Sequence, residues 1–237
     1  RPPELLDTGA NQAINQTHIF GRYTRWFFDP GCPNPDFKFE ALLSTVDHAF
    51  FKTLNPLSGP VHINIQFREP FFEDNGYKRF RKIKNLPAKK THVRYSNAKH
   101  WFPYKDIKHL LKELPESGIL SIGRIPKEAL VSVRILAKEL AWPVFTDITS
   151  GLRLGKNCPN RVTYYDQLLS EDLETAKWEI DAIWHIGFPP TSKLWLKLWD
   201  KKPSDQMVWI ADHCERQDPS HNFSWRIEVD IRDFCRK

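Results

Sequence analysis

From Pro103 onward, apolar residues alternate between helical spacing and short continuous runs that are typical of buried strands. The pattern predicts helices over 104–114, 125–140, 164–179 and 191–199, a short C-terminal helix, and strands over 118–123, 143–147, 180–186, 207–211 and 225–229. We place the strand cores at Ile119–Ile122, Val144–Thr146, Ala182–Ile186, Val208–Ile210 and Ile227–Val229. Strands that alternate with helices predict a parallel sheet covered on both faces. The fold class is therefore α/β: residues 103–237 should form a Rossmann-like doubly wound domain with five or six parallel strands.

The first 68 residues carry only the end of another α/β domain. Apolar residues between Glu40 and Leu54 recur at helical spacing and predict a helix with one buried face. The alternation over 61–65 predicts a short strand, whereas 17–36, rich in proline and glycine near its end, is expected to be loop. We expect 1–68 to be an incomplete domain tail, poorly packed unless a partner completes its sheet, and 69–102 to be a basic linker.

The opening stretch, Arg1 to Gln16, concentrates polar side chains that could bind a ligand. Pro2 and Pro3 disfavour a regular helix and leave Arg1 on an extended segment. The run that begins at Asp7 predicts a helix start, with Asn11 and Gln12 directly after it. Two carboxamides near an arginine could donate to and accept from a carboxylate or a polar ring. A capped surface helix is the alternative.

A second candidate site follows the predicted strand 180–186. Gly187 to Lys193 should open the next helix, where Thr191 or Ser192 can act as the N-cap. Ligands of open α/β sheets bind beyond the carboxyl ends of the strands, and free amides at a helix start favour an anion. Lys193 adds a positive charge there. The alternative is a capped helix with a solvated lysine, and we assign no role to His213 and His221, which resemble surface or hinge residues.

Charge is distributed unevenly. The chain carries a formal charge of +6, yet 78–112 holds twelve lysines and arginines against one acid, Asp106. That stretch is therefore +11 and the remaining chain −5. Five aromatic residues are interleaved with these charges: Phe80, Tyr95, Trp101, Phe102 and Tyr104. Such a run could bind nucleic acid through phosphates and stacking, but no nucleic-acid motif accompanies it, which favours a solvated linker.

Other kinds of site lack a sequence signature. The four cysteines show no Cys-x-x-Cys spacing and the histidines form no metal-binding pair, so we expect reduced thiols and no protein-held metal. The glycines at 118 and 123 do not form a dinucleotide fingerprint, and no P-loop lysine follows. No apolar run approaches the roughly 18–20 residues of a membrane span.

Several motifs resemble the MenD family, the SEPHCHC synthases of menaquinone and phylloquinone biosynthesis. The most specific are Arg-Pro-Pro-Glu-Leu at 1–5 and Gly-Ala-Asn-Gln-Ala-Ile at 9–14. Weaker segments follow in family order: Gly59–Ile65, Phe67–Pro70, Lys138–Val144, Ser150–Gly151, Thr191–Lys193 and Asp218–His221. Trp-Pro-Val at 142–144 and Asp-Pro-Ser-His at 218–221 are closest to the plant, plastid-type branch.

The resemblance implies a function for each candidate residue. The family uses thiamine diphosphate and Mg²⁺ to decarboxylate 2-oxoglutarate and joins the product to isochorismate. Lys193 matches a family lysine that reaches the isochorismate carboxylate, and Arg1 matches an arginine that contacts substrate carboxylates. Asn11 and Gln12 match a pair near the cofactor and isochorismate, so Gln12 is also the predicted cofactor contact. No catalytic residue is expected in this segment.

The resemblance also implies that 1–68 is the C-terminal part of a pyrimidine-binding-type domain and 103–237 the central domain. In the family, the cofactor-activating glutamate lies before the position of Arg1 and the Mg²⁺–diphosphate motif after that of Lys237. We therefore expect this chain alone to be inactive and to bind neither thiamine diphosphate nor Mg²⁺. Its expected partners are flanking domains or a second subunit, in a homo-oligomer or larger assembly.

Two other functions stay open: a non-catalytic MenD-derived structural or assembly subunit, and a basic nucleic-acid-binding α/β module. The expected location is the plastid in a photosynthetic eukaryote and the cytoplasm otherwise.

Overall fold

The structure, a computed structural model, describes residues 1–33, 38–68, 91–155, 158–172, 180–201 and 204–236. The chain divides into two compact units, Arg1–Asn97 (unit 1) and Ala98–Lys237 (unit 2). In the described ranges, none of the helices combines the length and apolar character needed to cross a membrane.

Unit 1 is built around one helix and two parallel strands. Strand β1 (Phe27–Gly31) pairs with β2 (His62–Ile65), and helix α1 (Phe39–Leu54) lies between them in the sequence. The predicted helix and second strand are confirmed, but the prediction of loop over 17–36 is wrong for β1. The Asp29 carboxylate explains the difference, because it accepts hydrogen bonds from the Asn64 and Gln66 amides at 2.7 and 3.0 Å.

Helix α1 has one packed face and one exposed face. On the packed face, the Phe51 ring stacks on Tyr95 with ring centroids 4.6 Å apart, and Asp47 accepts a hydrogen bond from the Val93 amide at 2.7 Å. Residues 91–97 therefore pack against α1. The exposed face is an apolar stripe at four-residue spacing, with exposed fractions between 37% and 66%: Leu42, Val46, Phe50 and Leu54.

Unit 2 is a doubly wound α/β domain, as predicted. Its helices are α2 (Tyr104–Lys112), α3 (Leu130–Leu140), α4 (Tyr165–Asp172), α5 (Lys193–Lys201) and α6 (Ile231–Phe234). Its strands are β3 (Gly118–Ile122), β4 (Val144–Thr146), β5 (Ala182–Ile186), β6 (Gln206–Ala211) and β7 (Trp225–Glu228). In the described part of the chain, every neighbouring pair in the order β4-β3-β5-β6-β7 is parallel. The last strand ends at Glu228, one residue before its predicted end.

Apolar layers cover both faces of the sheet. Along β3, Leu120 and Ile122 contribute to one buried cluster, together with α3 and α6. Ile119 contributes to a second cluster on the opposite face, which also contains residues of α4 and α5. Trp195, Trp199 and Trp209 are completely buried in this second cluster. Because successive side chains of a strand point to opposite faces, one short apolar strand can serve both clusters.

All four long helices predicted for this domain differ from the structure in their bounds: α2 ends at Lys112 rather than 114, and α5 covers Lys193–Lys201 rather than 191–199. Helix 125–140 was expected to begin with Pro126 in its first turn, but Pro126 is extended and precedes a 3-10 turn, Lys127–Ala129, before α3 starts. Of the predicted helix 164–179, the structure describes α4 as far as Asp172, and 173–179 lie outside the described residues.

Candidate functional site

The loop from Gly187 to Lys193, here the β5–α5 loop, lies where the strand order reverses. After β3 the chain adds β4 on one side, and β5 then returns to the other side of β3. Ligands of open α/β sheets bind at such a switch point, beyond the carboxyl ends of the strands. The location therefore agrees with the predicted site.

Backbone and indole hydrogen bonds fix the first two residues of this loop. The Gly187 amide donates to Ile210 O at 2.8 Å and the Phe188 amide to Arg124 O at 3.1 Å, while the Trp209 indole donates to Gly187 O at 2.9 Å. Glycine is required at 187, which has φ +90° and whose added Cβ would lie 2.4 Å from Arg124 O. The loop thus leaves the sheet in one conformation.

His185, on β5, contacts the same end of the loop through the carbonyl oxygen of Phe188. Its Nδ1 is 2.6 Å from Ser121 Oγ and its Nε2 is 2.9 Å from Phe188 O. Complete burial lowers the pKa of His185 to about 3, so the ring is neutral at physiological pH. Because a carbonyl can only accept, Nε2 donates to Phe188 and Nδ1 accepts from the serine hydroxyl.

The far end of the loop is held by Asp147, a fully buried residue directly after β4. Its Oδ2 accepts from the amide and the hydroxyl of Thr191, both at 2.8 Å. Its Oδ1 accepts from the amide and the hydroxyl of Thr149, at 2.8 and 2.6 Å. Burial raises the pKa of Asp147, but these hydrogen bonds outweigh burial and hold the pKa below its ordinary value. A carboxylate thus links the loops after β4 and β5.

This contact changes the interpretation of Thr191. The sequence suggested that free amides at the start of α5 bind an external anion, but the Thr191 amide binds the carboxylate of Asp147. Ser192 is the capping residue: its hydroxyl accepts from the Trp195 amide at 3.3 Å and donates to Asp166 at 2.5 Å.

Lys193 is the first residue of α5 and is exposed. A cation at a helix N-terminus opposes the helix dipole and costs about 0.3–1 kcal/mol. Within the described ranges, the structure gives Lys193 no ion pair. Its ammonium group can therefore bind an incoming anion.

An aromatic contact adjoins the loop. The Arg124 guanidinium lies 4.0 Å from the centre of the Phe188 ring, and the His213 ring lies 4.4 Å from it. The prediction that His213 is a surface or hinge residue is wrong, since it is only 3% exposed and burial lowers its pKa. Neither of its ring nitrogens has a hydrogen-bond partner among the described residues. His221 is exposed, as expected.

In unit 1, the structure brings two of the predicted residues together. Arg1 Nη2 donates to Gln12 Oε1 at 3.0 Å, and Asn11 lies beside them on the surface. The helix predicted to begin at Asp7 is wrong, because 6–12 form turns. Asp7 and Gln12 have φ of 58° and 59°, a left-handed conformation that does not continue a helix.

Two of the resemblance motifs meet in unit 1. Arg68, which follows β2, makes two hydrogen bonds to the Glu4 carboxylate, at 2.7 and 3.0 Å. The contact is half exposed, so it orients the opening stretch more than it stabilises the unit. It places the stretch that carries Arg1, Asn11 and Gln12 beside the end of the strand pair.

Sequence inspection missed Asp147 and His185. Asp147 had a usable signal, because an aspartate directly after a strand and before a helical turn lies at the carboxyl edge of the sheet and is a good helix cap. His185 had none, since it stands inside an apolar strand. Of the basic stretch 78–112, residues 78–90 lie outside the described residues, and with them seven of its twelve basic side chains. Among all residues that the structure describes, no group of three or more His, Cys, Asp or Glu side chains is placed to hold a metal ion.

The strand order, the layered core and the loop at the switch point define a doubly wound α/β domain whose carboxyl edge is the candidate site. The chain belongs to the family described as the middle domain of thiamine pyrophosphate, which matches residues 86–237. This family accounts for all of the described sheet of unit 2.

The chain is also similar to three curated proteins along almost its entire length. It is 36% identical to the 2-succinyl-5-enolpyruvyl-6-hydroxy-3-cyclohexene-1-carboxylate synthase of Rubrobacter xylanophilus over 241 aligned positions, which cover 99% of this chain and 41% of the relative. The synthase of the same name from Chlorobaculum tepidum is 35% identical, with 97% and 40% covered. Protein PHYLLO, chloroplastic, of Arabidopsis thaliana is 31% identical, with 99% and 15% covered. The chain thus spans about two fifths of the bacterial relatives.

Proposed function

We propose that this chain is a segment of a 2-succinyl-5-enolpyruvyl-6-hydroxy-3-cyclohexene-1-carboxylate synthase and that it contributes the isochorismate side of the reaction. The observation that carries the proposal is the collinear similarity over 99% of the chain to the synthase of R. xylanophilus. In that reaction, the unit left by decarboxylation of 2-oxoglutarate is joined to isochorismate.

Lys193 is the proposed contact to an isochorismate carboxylate. It is exposed, lacks an ion pair among the described residues, and starts a helix beyond the carboxyl edge of the sheet. A lysine at this position costs the helix some stability, and a bound carboxylate would offset that cost. Arg1 and Asn11 are proposed as further substrate contacts and Gln12 as a contact to both substrate and cofactor.

Thiamine diphosphate and Mg²⁺ are the proposed cofactors of the complete enzyme. When bound, thiamine diphosphate stabilises the carbanion that forms on decarboxylation. The described residues do not fit the metal, because they offer no cluster of acidic, histidine or cysteine side chains. We therefore derive no step through the cofactor, and its activating glutamate and metal ligands are assigned to flanking domains or a second subunit.

Similarity to a protein named chloroplastic supports a plastid location in a photosynthetic host. In other hosts the proposed location is the cytoplasm, and the proposed assembly is a homo-oligomer or a larger complex.

A comparison of the isolated chain with a completed enzyme tests this function. The completed enzyme is a chimera in which the chain replaces the matched 41% of the R. xylanophilus synthase. We expect the chimera to release CO₂ from 2-oxoglutarate and to form the isochorismate adduct. The isolated chain should do neither, and calorimetry at millimolar thiamine diphosphate with Mg²⁺ should show no binding to it. Turnover by the isolated chain would show that the catalytic groups are wrongly assigned. A folded but silent chimera would favour a non-catalytic subunit.

A further inference from the structure

The two ends of the β5–α5 loop are held by different groups. Backbone partners, His185 and Trp209 fix Gly187 and Phe188. Lys193 lies five residues further on, beyond Pro189 and Pro190. Between Phe188 and Lys193, the described side-chain contacts that fix the backbone of the loop converge on Thr191, whose amide and hydroxyl both donate to Asp147.

We propose that Asp147 is a positioning residue, which holds Thr191 and thereby places Lys193 where it can bind a substrate carboxylate. The inference rests on the proposed role of Lys193. Asp147 itself would touch neither substrate nor cofactor, because it is fully buried and each of its two oxygens already accepts two hydrogen bonds from threonines.

The arrangement requires a carboxylate. Four donors converge on the two oxygens of Asp147, two from Thr149 and two from Thr191. An ionised carboxylate accepts at both oxygens, whereas an asparagine of the same size would turn an NH₂ group toward one pair of donors. Hydrogen bonds to a charged acceptor are also about twice as strong as neutral ones. The same four hydrogen bonds lower the pKa of Asp147 despite its burial, which favours the ionised carboxylate.

The contact also spans the switch point. Thr149 belongs to the turn after β4, and Thr191 to the loop after β5, on opposite sides of β3. Asp147 therefore ties the loop that leads to Lys193 to the turn after β4, across the end of β3. A binding group needs such support, because displacement by about 1 Å is enough to weaken catalysis strongly.

The first test measures amide exchange by NMR in the 237-residue chain. Asp147→Asn and Thr191→Val should accelerate exchange of the amide at 191, which donates to Asp147, about 10-fold or more. Thr191→Ser retains the hydroxyl and should restore slow exchange. Thr149→Val is the matched control, since it removes the 2.6 Å hydroxyl contact to the other oxygen of the same carboxylate without altering the loop. We expect less than about 3-fold change for it. Unchanged exchange in both Asp147→Asn and Thr191→Val would overturn the inference.

The second test is kinetic and uses the chimeric synthase. Thr191→Val should raise KM for isochorismate about 10-fold and leave decarboxylation of 2-oxoglutarate unchanged, a division that general destabilisation would not produce. In a Lys193→Ala background it should have no further effect, because both changes act through the same group. If Lys193→Ala weakens isochorismate use and Thr191→Val does not, the positioning role is wrong and the proposed function stands. If Lys193→Ala itself has no effect, the proposed role of Lys193 is wrong.

Discussion

Two buried histidines show how differently one residue type can be used in this protein. His185 satisfies both ring nitrogens, through Ser121 and Phe188 O. His213, at the carboxyl edge of the same sheet, has neither nitrogen satisfied within the described part of the chain. A buried polar group without a partner costs about 1–3 kcal/mol. The first ring therefore stabilises the fold through its hydrogen bonds, whereas the second contributes through its contact with Phe188.

Phenylalanine substitutions distinguish these two roles. His185→Phe should leave the Ser121 hydroxyl and Phe188 O without partners and lower the free energy of unfolding by about 2–4 kcal/mol. His213→Phe keeps the aromatic contact with Phe188 and removes unsatisfied nitrogens, so we expect no loss, or a gain of up to about 1 kcal/mol. Urea unfolding of both variants measures the difference. An equal loss in the two would show that His213 makes hydrogen bonds to ordered water.

At the residue scale, the sequence indicates candidate residues whose type and position are typical of ligand-binding sites. Lys193 stands out because it is a cation at a helix start beyond a strand, and Arg1, Asn11 and Gln12 because of the motif that they share; their roles at the site stay predictions. His213 could not be assigned correctly, since its burial depends on which loops meet over the sheet. Asp147 had a signal in its position after a strand, but its contact with Thr191 joins two loops far apart in the sequence. Thr191 was expected to be free to cap the helix start, yet its partner is a residue 44 positions earlier.

Among the elements, β1 and α1 show where a hydrophobic pattern succeeds and where it fails. Helix α1 was predicted from its apolar spacing, including the stripe of Leu42, Val46, Phe50 and Leu54 that the structure leaves exposed. Strand β1 was missed because Asp29, Pro30 and Gly31 are turn formers. The strand forms because Asp29 finds partners on and beyond β2, a long-range effect that local composition does not contain.

Truncation of a side chain should destabilise the protein on the packed face of α1 and have little effect on the exposed face. Phe51→Ala removes the ring that stacks on Tyr95 and should destabilise unit 1 by about 1–2 kcal/mol. Phe50→Ala, at the adjacent and 66% exposed position, should change stability by less than about 0.5 kcal/mol. Amide exchange of peptides covering 39–54 reports both effects. Equal acceleration in the two variants would mean that the stripe is packed in solution.

For the whole molecule, topology was the most predictable property. Alternating strands and helices with right-handed connections allow few arrangements, so the parallel doubly wound sheet followed from periodicity. The order β4-β3-β5-β6-β7 also places the β5–α5 loop at a switch point, which is why a ligand could be expected there. Periodicity does not specify which residues hold that loop in place, because contacts such as the one between Asp147 and Thr191 join segments far apart in the sequence.

The proposed function requires Lys193 to bind a carboxylate of isochorismate, and the kinetics of the chimeric synthase test this requirement most directly. Lys193→Ala should lower kcat/KM for isochorismate about 10- to 150-fold, the loss expected for a charge-assisted contact of about 1.5–3 kcal/mol. Decarboxylation of 2-oxoglutarate should stay largely intact.

Lys197→Ala is the matched control, because Lys197 is an exposed lysine one turn further along α5. It should leave kcat/KM for isochorismate within about 3-fold of the parent enzyme, as expected for a surface substitution. A loss of kcat/KM that is confined to Lys193→Ala and to isochorismate is the outcome expected from the proposed role of Lys193. Unchanged isochorismate kinetics in Lys193→Ala, or an equal loss in both variants, would contradict it.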